Sequence, residues 1–159
     1  PATVCLSIPL YRQVAILKKN WKAIMAGVVS GVLSSMGSVL VMAMLFGITH
    51  EQYVTLLPKS ITTAIGMGVS EELGGITSIT VAVIIITGVI GNIIAAPVCR
   101  LAHITEPVAK GIGLGSSAHA IGTVKAFEMG EMEGAMSSLS IAVSGLVTVV
   151  MASFFAKLW

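Results

Sequence analysis

Ionisable and hydroxyl side chains are scarce in this chain, which is 55% hydrophobic and 10% charged, and two short stretches hold most of those that could do chemistry. The first, PKSITTAIGMGVSEELGG (Pro58–Gly75), carries Lys59, Ser60, Thr62 and Thr63. An ammonium set among hydroxyls suits a small carboxylate: the cation meets the charge and O–H donors meet the oxygens. The competing reading is a membrane-edge lysine that snorkels, with hydroxyls bonded back onto their own helix. The second, PVAKGIGLGSSAHAIGTVKAFEMG (Pro107–Gly130), carries Ser116, Ser117, His119 and Thr123. A histidine at membrane depth is a functional candidate, and imidazole titrates near neutral pH, so His119 could bind substrate or carry a coupling proton. A purely structural histidine is the alternative. Glu72, Glu128 and Asn92 are further candidates for proton or ion coupling. The two glutamates are equally suited to cap the helix that follows each stretch, and Asn92 to an interhelical hydrogen bond. Lys125 and Glu128 have the spacing of an i,i+3 pair. Glu131 and Glu133 are read as solvated charges on a connecting turn.

The two stretches correspond. Set 56 positions apart, Ala64-Ile65-Gly66 falls on Ala120-Ile121-Gly122, Glu72 on Glu128, Gly74 on Gly130, Ser60 on Ser116 and Thr63 on His119. The shared pattern is A-I-G-x5-E-x-G, and each copy precedes a clean apolar run. Chance similarity in a sequence this rich in alanine and glycine is the competing explanation.

The elements that must position these residues follow from hydropathy. A charge content of 10% against roughly a quarter in soluble domains, with a mean hydropathy of +0.98, points to a membrane protein. Three segments offer about 20 apolar residues, enough to cross a bilayer: residues 21–46, 76–98 and 135–155. The stretches 58–75 and 107–130 are too interrupted to span simply, and short broken segments in matching positions point to a transporter's binding site. The basic cluster Arg12, Lys18, Lys19 and Lys22 places the start of the first span in the cytoplasm. Arg100, His103 and Lys110 return to that side only if 58–75 dips in and out again, although Lys157 then lies outside. The expected fold is therefore all-α: a polytopic transmembrane helical protein with inverted repeats and two re-entrant, broken-helix hairpins. A single transmembrane domain covers residues 1–159. The start at Pro1, inside an apolar element, reads as an N-terminally truncated fragment. Gly27, Gly31 and the series Ser30, Ser34, Ser38 are expected to serve close helix packing.

Other classes are disfavoured. No nucleophile–base set, metal cluster or phosphate loop suggests an enzyme or a cofactor. A net charge of +2 without a basic stripe argues against nucleic acid. Cys5 and Cys99 form neither metal spacing nor a disulfide framework.

The motifs LPKSITTAIGMGVSEELGGI, GLGSSAHAIGTVKAFEMGEMEGAMSSL and the opening PATVCLSIPLYRQ resemble the LrgB/CidB-type family of antiholin-like inner-membrane proteins, whose domain also occurs in plastid glycolate/glycerate carriers. The resemblance covers essentially the whole chain. It departs where Ala64 stands in place of a family-typical proline, which leaves Gly66 and Gly68 to supply the bend. The resemblance implies two activities. The expected one is secondary transport of a small monocarboxylate (glycolate, glycerate or pyruvate) across the bacterial inner membrane. The alternative is regulation of murein hydrolase activity and lysis with a small holin-like membrane partner. A homo-oligomer is compatible with either.

Overall fold

The computed structural model describes the backbone from Val14 to Trp159 and the side chains of Lys18 and of Trp21 onward. Cys5, Arg12, the opening PATVCLSIPLYRQ motif and the side chain of Lys19 lie outside the described residues. The described chain is all-helical: α1 (Val14–Phe46), α2 (His50–Leu56), α3 (Thr63–Glu72), α4 (Thr77–Leu101), α5 (Pro107–Met129) and α6 (Glu131–Phe155), closed by a 3-10 turn at Ala156–Leu158.

Among the described residues three stretches are long and apolar enough to cross a bilayer: Trp21–Phe46, Thr77–Leu101 and Glu131–Leu158, with mean hydropathies of 2.0, 2.4 and 2.1. Their outer faces leave Ile86, Ile93, Leu101, Leu146 and Val150 exposed. So much exposed large apolar surface needs an apolar surround. The core lies between α1 and α6, where Val28, Val32, Met36, Ala135 and Met136 are all but excluded from solvent.

Between the spans the chain folds back twice. In the first unit α2 sits at the end where α1 and α6 finish. Tyr53 Oη donates to the Phe155 carbonyl at 3.0 Å, and Trp159 Nε1 donates to the Ile48 carbonyl at 2.9 Å. The chain then dips through Leu57–Ile61 until Ser60 reaches Ser35, near the middle of the α1 span. It returns as α3, antiparallel to α4: Gly66 lies beside Ile84, and Thr80 Oγ1 donates to Ser70 Oγ at 2.7 Å. Thr55 Oγ1 closes the base by accepting from Ile76 N at 2.8 Å. Ten residues of α3 rise about 15 Å, half of a hydrocarbon core of about 30 Å.

The second unit is α5, broken at His119 (φ 42°, ψ −140°). Its first arm runs parallel to α6, with Gly111 on the Glu133 carbonyl and Met136, and Gly115 on the Ser137 carbonyl and Ser140. Its second arm runs back: Thr123 Oγ1 and Ser137 Oγ are 2.7 Å apart, and Phe127 lies on Gly134. Both ends of this unit therefore lie where α4 ends and α6 begins, opposite the base of the first. The break has local causes. Glycines at 111, 113 and 115 weaken the helix, and Ser116 and Ser117 bond back to the Ile112 and Gly113 carbonyls at 2.7 and 2.6 Å.

The 56-residue correspondence holds in three dimensions. Thr80 meets the Thr55 carbonyl, and Met136 meets Gly111. A Cβ added at Gly66 would lie 3.6 Å from the Pro58 carbonyl oxygen, and one at Gly122 3.1 Å from that of Leu114. Each pair differs by 56 in both members. The two units also exchange contacts. Ile121 Cδ1 lies 2.9 Å from where a Cβ on Gly88 of α4 would stand, and Ile65 Cδ1 3.1 Å from the same point on Gly145 of α6.

The structure corrects several boundaries. The first span is Trp21–Phe46 as expected, within a helix described from Val14, and α4, which contains Pro97, continues past residue 98 to Leu101. The expected loop 47–57 contains α2, held by a capping box in which Thr49 N donates to Gln52 Oε1 at 3.0 Å and Gln52 N to Thr49 Oγ1 at 3.3 Å. The first hairpin thus begins at His50 instead of Pro58. α6 begins at Glu131 rather than 135, so Glu131 and Glu133 belong to its first turn rather than to a connection, and of the two only Glu131 is solvent-exposed as expected. Glu133 is buried, with its carboxylate over Gly130, where the helix N-terminus favours negative charge. Neither following helix receives a side-chain cap bond, so Glu72 and Glu128 are not caps.

The topology predicts a labelling pattern. With Cys5 and Cys99 replaced by alanine, cysteines placed at exposed Gln52 and exposed Thr105 should react with an impermeant maleimide from opposite sides of a sealed vesicle. Labelling of both from one side would contradict the inverted arrangement.

Candidate functional site

Four of the eight predicted substrate ligands come together. Lys59 and Ser60 at the first tip, and Ser116 and Ser117 near the second, share an open cleft of ≈ 300 Å³ with Gly31, Ser34, Ser35 and Ser38 of α1. Ser116 approaches so closely that a Cβ on Gly31 would stand 2.8 Å from its Oγ. The small residues of α1 therefore do what their spacing suggests for Gly27 and Gly31, which receive Ile112 and Ser116. The serines do more: they form the third wall of the cleft.

Lys59 is the charge in this cleft. Its Nζ donates to Ser35 Oγ and Ser60 Oγ, both at 3.1 Å, and those hydroxyls are 2.8 Å apart. An ammonium has three protons, so one remains for a ligand. Among the described residues no carboxylate pairs with Lys59; the ion pair of the hairpins is Lys125 with Glu128, at 2.7 Å. Two tips meeting at mid-depth also solve the problem of backbone that is irregular there, since it is buried against protein or lines a cavity. One unneutralised cation among hydroxyls fits a small monoanion.

The other predicted residues lie elsewhere. Thr62 and Thr63 are the N-cap and first residue of α3, half-buried and outside the cleft wall. His119 is buried against α4, with Nε2 2.9 Å from the Ile84 carbonyl. A carbonyl only accepts, so Nε2 carries the proton. Thr123 Oγ1 donates to the His119 carbonyl at 3.0 Å and meets Ser137. Asn92 Nδ2 donates to the Ile121 carbonyl at 2.9 Å, the interhelical bond that was its competing reading. Glu72 is exposed at the end of α3. His119, Thr123 and Asn92 thus fasten the second tip to α4 and α6, while Ser34 and Ser38, read from sequence only as packing, and Ser35, not singled out there, are cleft residues. Their signal was a hydroxyl stripe on an otherwise apolar span.

Three bilayer-length helices enclosing two opposed, repeat-related hairpins define a polytopic helical architecture built from inverted repeats. The chain belongs to the LrgB-like family, which it matches over residues 1–158. It is 39% identical over 155 residues to the antiholin-like protein LrgB of Bacillus mycoides (strain KBAB4), and equally to those of Bacillus cereus (strain B4264) and Bacillus anthracis (strain CDC 684 / NRRL 3495). Each match covers 98% of this chain and 67% of the relative. No solved structure has significant similarity to it. These names favour the antiholin-like expectation over the carrier expectation.

Proposed function

We propose that this chain is a multi-pass protein of the bacterial inner membrane with an antiholin-like role, restraining murein hydrolase activity and lysis through a small holin-like membrane partner. The observation that carries this reading is its 39% identity, over 98% of its length, to proteins named antiholin-like. It acts without catalysing a reaction and without a cofactor. The second reading, carriage of a small monocarboxylate, is favoured by one feature the name does not explain: the unneutralised Lys59 between the hairpin tips.

The test has two arms. A bacterium deleted for its own antiholin-like gene is complemented with the full chain, with and without the holin-like partner, and autolysis and zymogram activity are followed. Restored restraint that requires the partner is the expected result; unchanged autolysis in both strains overturns the first reading. Purified protein in proteoliposomes is then given labelled pyruvate or glycolate. Uptake abolished in Lys59→Ala supports carriage, and absence of uptake under any imposed gradient removes it. Restraint that persists in Lys59→Ala while uptake is lost separates the two activities.

A further inference from the structure

A further cavity lies at the α4 end of the second hairpin, and its mouth shares no lining residue with the Lys59 cleft. A cavity of ≈ 440 Å³ there is lined by Arg100, His103, Thr105 and Lys110, with Cys99 and Met129 as its apolar floor. It shares Cys99, Ile104 and Lys110 with a neighbouring groove of ≈ 240 Å³. That groove runs along α4 past Val98, Ala95 and Ile94 to Gly91, with Leu114 of α5 as its other wall. The two cavities join as a cationic mouth and an apolar slot.

Three features make the mouth more than a helix end. Among the described residues no acid lines either cavity; Glu106, the nearest along the chain, lines a different depression on the α1 side. Among the described residues, Arg100, His103 and Lys110 have no carboxylate partner. Finally, His103 is held at φ 52° in the turn that ends α4, where the Ile104 N–H bonds the Cys99 carbonyl at 2.9 Å. That position favours glycine. Histidine is less favourable than glycine in the left-handed conformation, so the turn alone does not account for its side chain.

We propose that this is a binding site for one anionic phospholipid, with its phosphate among Arg100, His103 and Lys110 and an acyl chain in the slot beside Ile94 and Val98. The chemistry is complementary at both ends, and basic pockets between membrane helices hold such head groups. The proposal rests on the chain residing in a bilayer. It does not depend on whether the chain restrains lysis or carries an acid.

The full chain, purified in a neutral detergent, is titrated with phosphatidylglycerol or phosphatidylcholine of equal chain length. Binding is read by native mass spectrometry and by the shift in melting temperature. Glycerol 3-phosphate supplies the phosphate without a chain. Phosphatidylglycerol should bind preferentially and raise the melting temperature, and glycerol 3-phosphate should do neither. Arg100→Gln with Lys110→Gln should cut that preference by about tenfold, two cations each contributing severalfold. Val98→Trp, at an exposed position, should fill the slot and weaken lipid binding while leaving the unliganded melting temperature in place. His103→Gly separates a binding role from a structural one: it should suit the left-handed turn, hold or raise unliganded stability, and still lower the preference for phosphatidylglycerol. Equal binding of both lipids, or an undiminished preference in the Arg100/Lys110 and His103 variants, overturns the proposal. Competition by glycerol 3-phosphate as strong as by the lipid would make this a soluble-phosphate site and overturn the lipid assignment.

Discussion

Lys59→Ala should weaken binding of a small monocarboxylate to the purified chain by about ten- to a hundredfold in Kd, the equivalent of losing one charge-assisted hydrogen bond of about 1.5–3 kcal/mol. The fold should survive. Truncation removes an ammonium held at membrane depth and leaves the Ser35–Ser60 hydroxyl contact of 2.8 Å intact. Lys59→Arg keeps the charge, yet its planar fork does not reproduce a compact ammonium between two serine oxygens, so binding should be only partly retained. Calorimetry with pyruvate or glycolate, paired with a melting curve for each variant, checks both halves. Wild-type affinity in Lys59→Ala would exclude the cleft as the anion site.

Gly115→Ala should, with Gly111→Ala, be among the most damaging single-methyl additions in the second hairpin. A Cβ there would fall on the Ser137 carbonyl oxygen and lie 2.8 Å from Ser140 Cβ. The obstructing atoms are backbone and the root of a side chain, neither of which rotates aside. Overpacking costs typically about 1–3 kcal/mol and more where neighbours cannot yield, so a loss of at least about 3 kcal/mol is expected. Gly113→Ala, two residues earlier on the same arm, meets nothing within 4 Å. That change should be neutral or stabilising by up to about 1 kcal/mol through helix propensity. Unfolding in mixed micelles measures the contrast, and equal losses would show that the arm does not sit on α6 as described.

The spans and the repeat were legible because they rest on local signals: uninterrupted apolar length and a matched A-I-G-x5-E-x-G pattern. Boundaries were less so. α2 was hidden in a polar stretch although Thr49 and Gln52 carry a capping-box signature, and the start of α6 was hidden because acids in a first turn look like acids in a loop. At the cleft, Lys59, Ser60, Ser116 and Ser117 could be read from residue type and repeat position. Ser34 and Ser38 could not, since four-residue spacing reveals a face but not what that face meets, and Ser35 stands outside that spacing altogether. His119 turned toward α4 for a reason no local pattern contains: the Ile84 carbonyl stands within reach only after the hairpin has folded back.

The exchanged isoleucines carry a mechanical consequence. Ile65 rests on Gly145 and Ile121 on Gly88, so each half of the molecule latches the opposite half. Withdrawing either tip drags a side chain across a span belonging to the other copy. The two tips are therefore expected to move as a pair, tied by packing rather than by any separate linkage.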